Sequence, residues 1–537
     1  MDEQKGFAQN TSILISGEII SFLLAFGLNF FLVRILTIDS YSLFNRILIV
    51  PTILLYLTDF GFSNGCVYYI TRLDKLNKRQ QSKNVIKITI ISKFIIGIVM
   101  FIFIFLLSPS LISPVIGIQK SPEIFMLQII AILIITNHFL EAIRMVLIAS
   151  NKMIALTLLK ITENGLNLFL TILFFIISWG LFSPIMGLVF STLITGIFGI
   201  LFTYKKLLKP VESKKGLDWK CAPILIKRGF MYSLNGAIIN SKDQLFILFL
   251  TLLSFYSEVS YFRVGLSIAA LFYLILRPVK TSIYPIFTKY TWNNPDNKKM
   301  LIQIYHYSIK FCLIFITPVI IFFVFFAYNI IPLIFGMKYS VGTQFISIYF
   351  ISYLPLSIGM GTLSAFFYGQ GFRNLSFLID FFPFILSSIL GIIFSVLFGS
   401  LGFAIGLSLG SILGFAFDII LSNKKFGKIL FSKSLELIYL IVIVFGLCGF
   451  FFILFRFFQL DFIINNTYLK LIAVFITFIC FYFFYVIISI RVNLIKYIEI
   501  EYFVNVFNKI PMVNKILPYI AKFAYKLSKK NNSESSN

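Results

Sequence analysis

The chain reads as an all-α polytopic membrane protein of about fourteen transmembrane helices, two six-helix repeats in parallel orientation followed by two C-terminal helices. Three observations lead there. Of its 537 residues, 59% are hydrophobic and 12% charged, with 67 Phe and a mean hydropathy of +0.95. A soluble domain carries about twice that charged fraction. Apolar stretches of about 20 residues, enough to cross a bilayer as a helix, recur from end to end. Finally, short strings in the two halves match at a nearly constant offset. The same composition excludes disorder, collagen and a disulfide scaffold.

In order, the spans fall at 12–34, 42–70, 88–107, 123–149, 154–178, 182–204, 230–253, 259–288, 305–334, 342–369, 375–398, 402–422, 434–456 and 467–491. The long second, eighth and ninth are expected to be tilted or Pro-broken. Pro51, Pro278, Pro285 and Pro318 fall inside spans, where freed carbonyls need another partner. The opening MDEQKG is acidic and no cleavage site follows, so the first span reads as an anchor rather than a signal peptide.

The charge follows the loops. There are 46 Lys and Arg against 21 Asp and Glu, a net +25. Such an excess suits nucleic acid only when it gathers on a soluble face. With a cytoplasmic N-terminus, the inside segments hold 32 of the 46, while the outside connections hold Lys120, Lys338 and Arg456. This alternation is the positive-inside pattern. It places both termini in the cytoplasm, beside an anionic leaflet, and leaves no nucleic-acid partner. All connections are short, so the bundle itself must carry the function. Cys66, Cys221, Cys312, Cys448 and Cys480 show no ligand spacing and read as packing residues, with neither a metal site nor a disulfide framework.

Five matches define the repeat. Thr71-Arg72 corresponds to Thr288-Lys289 and Lys93-Phe94 to Lys310-Phe311, both at an offset of 217. Gly117 with Gly336, Gly187 with Gly406, and Lys205-Lys206 with Lys424-Lys425 share an offset of 219. The expected organisation is an N-terminal six-helix bundle (1–210), a cytoplasmic linker (211–228), a C-terminal six-helix bundle (229–425), helices 13 and 14 (426–492) and a cytoplasmic tail (493–537). Six is even, so the halves enter the membrane in one orientation. Transporters built from such parallel repeats hold substrate between the halves and rock one against the other. The plainer alternative is a duplicated bundle that transports nothing. The tail mixes Ile, Phe, Tyr and Leu with spaced Lys and reads either as an amphipathic segment on the inner leaflet or as a solvated tail.

Four stretches carry a resemblance to a known family. They are Arg34-Ile-Leu-Thr-Ile-Asp-Ser-Tyr41-Ser-Leu-Phe44, Asp59-Phe-Gly-Phe with Thr71-Arg72, Ile331-Pro-Leu-Ile-Phe-Gly336-Met-Lys-Tyr339 and Phe367-Tyr-Gly-Gln-Gly371-Phe-Arg373. With the two half-bundles and two extra helices, they resemble the polysaccharide flippases, Wzx-like members of the multidrug/oligosaccharidyl-lipid/polysaccharide exporter superfamily. Ser42 departs from the pattern, which commonly has Gly after the Tyr. The lipid II flippase relatives share fourteen helices, but their Arg-Gly-rich opening near helix 1 is missing here. The resemblance implies flipping of a polyprenyl-diphosphate-linked oligosaccharide across the cytoplasmic membrane, and a central cavity lined by helices 1, 2, 7 and 8.

An ionisable residue inside a span costs a few kcal/mol on insertion scales, so it faces a cavity or a partner. Eleven basic residues lie in spans. Arg34, Lys93, Lys280, Lys310 and Lys470 sit near span ends and can snorkel. Arg144, Lys160, Lys242 and Arg277 lie deeper. Arg46 and Arg263 differ by 217 and are repeat equivalents on helices 2 and 8. A diphosphate head in the implied cavity needs cations, and Arg suits bidentate phosphate contact. Arg46 and Arg263 are therefore the first head-group candidates, followed by Lys242 and Arg277. The alternative is that both arginines anchor at the outer interface.

Acidic residues within spans include Glu18, Asp59, Glu141, Glu163, Asp243 and Asp380. His138, Glu141 and Arg144 step by three along helix 4 as an ion-pair ladder, and Lys160 with Glu163 repeats the spacing on helix 5. Both groups read as structural contacts between helices. Glu18, Asp59 and Asp243 are the candidates for binding H⁺ or Na⁺ and coupling transport to a gradient. Glu18 and Asp59 lead because no cation stands near them in sequence.

The expected protein is thus a monomeric transporter and not an enzyme. Its partners are a lipid-linked glycan, membrane lipids and an H⁺ or Na⁺ coupling ion. It needs no cofactor and no metal. No GxxxxGK[ST] segment occurs, so the chain is not itself a P-loop ATPase. A drug or organic-cation antiporter of the same superfamily is the alternative, and its cavity should be acidic. A membrane enzyme of glycan assembly would want a His/Asp/Arg loop cluster, which is missing.

Overall fold

The computed structural model describes residues 2–209, 219–290, 292, 294–427, 434–457, 467–492 and 494. Residues 211–218 of the expected linker and nearly all of the expected tail lie outside them. The described residues contain no strand, and twelve helices among them are long and apolar enough to cross a membrane. The protein is an all-α, multi-pass membrane protein.

The first expected span is α1 (Asp2–Ile35). The second is divided into α2 (Ile38–Ile47), α3 (Ile49–Leu57) and α4 (Phe62–Lys75). Thr37 caps α2, its hydroxyl accepting from the Ser40 N–H at 3.2 Å. The first break falls at Leu48 because Pro51 lacks the N–H that would bond Ile47, and its ring crowds that carbonyl. The second falls where Phe60 and Gly61 take φ of 48° and 92°, a left-handed conformation that glycine adopts without a Cβ clash.

Then come α5 (Arg79–Leu107), α6 (Ser113–Val115), α7 (Ser121–Ile130), α8 (Ile132–Ala149), α9 (Met153–Ile176) and α10 (Phe182–Thr203). Next come α11 (Ala222–Leu252), which begins within the expected linker 211–228, α12 (Tyr256–Lys289), α13 (Pro295–Phe315), α14 (Thr317–Phe335), α15 (Thr343–Ile351) and α16 (Gly361–Gly369). They are followed by α17 (Arg373–Phe426), α18 (Ser434–Phe457) and a last helix, Thr467–Arg491. The backbone of α17 leaves helical geometry at Phe398 and Gly399, between the expected spans 375–398 and 402–422. The thirty-one-residue α11 coincides with the expected span 230–253 but is not among the twelve. Its sequence includes Lys227, Arg228, Lys242 and Asp243.

Two compact units divide the chain, Met1–Arg263 and Val264–Asn537. In the first, Phe62, Cys66 and Ile70 pack with Val85, Ile86, Ala142, Val146 and Leu225. The second has an aromatic core in which Phe322 stacks on Phe326 at 4.4 Å, and Phe426 meets Phe366 and Phe367 edge-on at 5.1 and 5.0 Å. Lipid tails are as apolar as these side chains, so close van der Waals packing holds membrane helices together. Cys66, Cys312 and Cys448 are buried, as packing residues would be.

In the first unit, α4 and α11 approach through glycines. A Cβ on Gly229 would lie 1.9 Å from the Gly61 carbonyl oxygen, and one on Gly65 would lie 2.5 Å from that of Leu225. Backbone cannot yield as a side chain does. Gly229→Ala should therefore lower unfolding stability by about 1–3 kcal/mol. Gly446→Ala, where no heavy atom comes within 4 Å, should leave it unchanged within about 1 kcal/mol. Thermal unfolding of the two variants in detergent checks the contrast.

Candidate functional site

The break at Thr58–Gly61 exposes a carboxylate to three neighbouring segments of the first unit. Asp59 accepts from the Ser63 hydroxyl on α4, the Lys93 ammonium on α5 and the Ser233 hydroxyl on α11. Both carboxylate oxygens are used, and the Lys93 side chain is 1% exposed. No cation stands near Asp59 in sequence. Its cation comes instead from 34 residues further on, beyond any local sequence spacing. Lys93 does not snorkel at a span end, because Asp59 compensates its charge in place.

Beside this junction, His138 Nε2 lies 3.0 Å from the Thr58 hydroxyl. That hydroxyl has a single proton and donates it to the Leu54 carbonyl at 2.6 Å. His138 Nε2 must therefore be the donor, which fixes the Nε2–H tautomer. His138 does not join the expected ladder along α8. Within that ladder Arg144 meets Glu141 at 3.4 Å, but it also pairs with Glu163 on α9. Lys160, expected to pair with Glu163 one turn away, instead pairs with Glu18 on α1. Glu18, like Asp59, thus has a cation that sequence proximity did not reveal. Asn164 adds a contact from α9 to the Ser21 carbonyl at 3.3 Å. Polar pairs consequently link α1 to α9, α9 to α8, α8 to the break after α3, and that break to α5 and α11.

The head-group candidates lie along α2, α11 and α12. Arg46, 8% exposed, donates through one terminal nitrogen to the carbonyls of Ile116 and Gly117, each at 2.9 Å. Its guanidinium stacks over the Tyr256 ring, 4.3 Å from the centroid. Ser42 donates to the Tyr256 carbonyl at 2.5 Å, and Ser260 to that of Ile38 at 2.7 Å. Gly117 has φ of 66°, and a Cβ there would meet the Tyr256 hydroxyl at 2.4 Å. The start of α2, the turn after α6 and the start of α12 are thus tied together.

Arg263 stands beside the Tyr41 hydroxyl, which itself donates to Asn29 Oδ1 on α1 at 3.1 Å. Asp243 is neighboured by Lys242 and Arg263, and Lys242 Nζ lies 5.6 Å from the Phe246 ring centroid. Two cations therefore neighbour one carboxylate. Arg277 lies in the second unit and is exposed. Sequence reading gave no site role to Ser233, Tyr41 and Tyr256, and placed Lys93 among the residues able to snorkel. Lys93 and Lys310, which match at an offset of 217, are each 1% exposed.

A family model described as polysaccharide biosynthesis protein matches residues 7–291. No curated protein matches the chain by sequence. Among solved structures, the chain is similar to the lipid II flippase MurJ in an inward closed conformation, with a TM-score of 0.65 and 16% identity over 88% of this chain and 98% of that one. It is also similar to an inward-facing multidrug resistance MATE family transporter of the MOP superfamily, with a TM-score of 0.60 and 16% identity over 77% and 95%. A third is the MATE multidrug transporter DinF-BH in complex with R6G, with a TM-score of 0.61 and 15% identity over 80% and 96%. At these identities the likeness is one of fold, and it agrees with the superfamily resemblance carried by the turn motifs.

The pairs between helices make a separate prediction. Arg144→Gln leaves Glu163 and Glu141 without their cation and should cost about 1–3 kcal/mol of unfolding stability. Adding Glu163→Gln in the same chain should restore part of that loss, as read by thermal unfolding in detergent.

Proposed function

The chain belongs to the polysaccharide biosynthesis protein family, and from that premise we propose that it flips a polyprenyl-diphosphate-linked oligosaccharide across the cytoplasmic membrane. In this reading two six-helix lobes, 1–210 and 229–425, alternate access. Both termini lie in the cytoplasm, and the monomer is the working unit. Similarity in fold to a protein described as a lipid II flippase supports the substrate class.

The observation that carries the reading is the grouping of Lys242 and Arg263 beside Asp243, with Arg46 on the neighbouring seam. A diphosphate is a dianionic or more highly charged group, and guanidinium forks bind it bidentately. Arg46 here is engaged by the Ile116 and Gly117 carbonyls and by Tyr256. Its part in head-group contact therefore requires the α2–α12 seam to open. Arg277 remains a secondary candidate.

Fold similarity to MATE transporters keeps a second reading, an ion-coupled antiporter of drugs or organic cations. An acidic cavity would favour it. Two of its three candidate carboxylates are met by lysines, Glu18 by Lys160 and Asp59 by Lys93, and Asp243 has Lys242 and Arg263 beside it. That charge balance supports the anionic substrate. Coupling to H⁺ or Na⁺ through Glu18, Asp59 or Asp243 then requires one of these pairs to open during transport.

Reconstituted vesicles test the proposal with a fluorescent polyprenyl-diphosphate glycan. Arg46→Ala combined with Arg263→Ala should slow translocation about tenfold or more, the loss of charge-assisted contacts of ~1.5–3 kcal/mol each. Asp243→Asn should abolish any acceleration by an imposed pH or Na⁺ gradient. Translocation unchanged by the double arginine substitution would exclude the anionic-head mechanism. Transport of an organic cation in its place would establish the antiporter.

A further inference from the structure

Asp418 lies near the end of α17, in the second unit, with 0% of its surface exposed. Neither of its carboxylate oxygens has a hydrogen-bond partner among the described residues. One helical turn further on, at the i+4 position that shares its face, the Ser422 hydroxyl is also fully buried and unpartnered. Among the described residues no cation pairs with it. The charged neighbour acting on Asp418 is Asp380, from the first half of α17, which carries the same sign. From α13, Tyr305 stands beside the carboxylate and His306 adjoins Tyr305, their rings 6.5 Å apart.

Two lysines of the same unit meet other groups. Lys280 on α12 is neighboured by Asp380 and by Cys312 of α13. Lys310, also on α13, gives its ammonium to the Leu494 carbonyl at 3.1 Å. No salt bridge to Asp418 occurs among the described residues.

An ionised carboxylate in such a place is untenable. Moving an isolated charge into an apolar interior costs tens of kcal/mol by Born solvation, so the group neutralises instead. A like charge alongside disfavours the ion further. Within a membrane span the same physics makes an unmatched ionisable residue the mark of an ion or proton pathway. A metal cation would ask for more ligands, and no group of three His, Cys, Asp or Glu converges among the described residues. We propose that Asp418 is a proton-binding site, held as the neutral carboxylic acid in this conformation and releasing its proton to water when the inner end of α17 becomes hydrated. As the acid it gains an O–H donor, for which the Ser422 oxygen on the same face is the nearest acceptor in sequence. On release the O–H bond breaks, the electron pair stays on the carboxylate and the proton passes to water. The assignment is independent of which substrate the protein moves.

Infrared spectroscopy of the purified full-length chain at neutral pH tests it. The wild type should show a carboxylic-acid absorption that Asp418→Asn removes and Asp380→Asn keeps. Asp418→Glu, which retains an acid, should move the band without removing it, and this covers the case in which the amide variant fails to fold. Replacing K⁺ by Na⁺ should change neither the band nor the thermal midpoint. A spectrum indifferent to Asp418→Asn and Asp418→Glu would overturn the proposal. So would a Na⁺-dependent rise in thermal midpoint that Asp418→Asn abolishes, because the bound cation would then be sodium.

Discussion

No charge inside the first unit can be left alone in a medium that does not hydrate it, and this constraint shapes the contacts of that unit. Asp59 is where it acts most strongly. The carboxylate sits at a break in the second span and gathers a lysine from α5 and hydroxyls from α4 and α11. Removing any of the three leaves part of a buried charge uncompensated. The glycine contact of α4 with α11 brings Ser233 within reach, so backbone packing and charge satisfaction depend on each other. The pairs Glu18–Lys160 and Glu163–Arg144 extend the same logic to α1, α8 and α9.

The other charges of the first unit also meet groups of opposite sign. Lys242 and Arg263 neighbour Asp243. Arg46 lies against two carbonyl oxygens and an aromatic face, and the carboxylates of Glu123 and Asp39 act on it as well. In the second unit, Asp418 takes part in no salt bridge among the described residues.

The helical spans were legible because a bilayer demands a one-dimensional signal, about 20 apolar residues at a time. Pro51 in the sequence pointed to a break in the second span, and the structure places one three residues earlier. The second break was not legible, since Gly61 matters through its approach to α11, a contact across more than 160 residues of chain. Spacing along a helix found Arg144 with Glu141. It misassigned Lys160 and left Glu18 and Asp59 without partners, because their cations arrive on other helices. Neither the carbonyls and ring about Arg46 nor the phenol and Asp243 beside Arg263 could be read from the offset that pairs the two arginines in sequence. Asp418 lies within the expected span 402–422 but drew no role there, because its want of a partner shows only once the neighbouring helices are in place.

The most direct test is a double-mutant cycle on Asp59 and Lys93, reading unfolding free energy of the full chain in mixed micelles. Breaking a buried pair by removing one partner costs about 3–5 kcal/mol. Asp59→Asn and Lys93→Met should therefore each be strongly destabilising, and the double variant should lose much less than their sum, with a coupling of about 2 kcal/mol or more. Additivity of the two substitutions within about 0.5 kcal/mol, the behaviour of independent sites, would contradict the account.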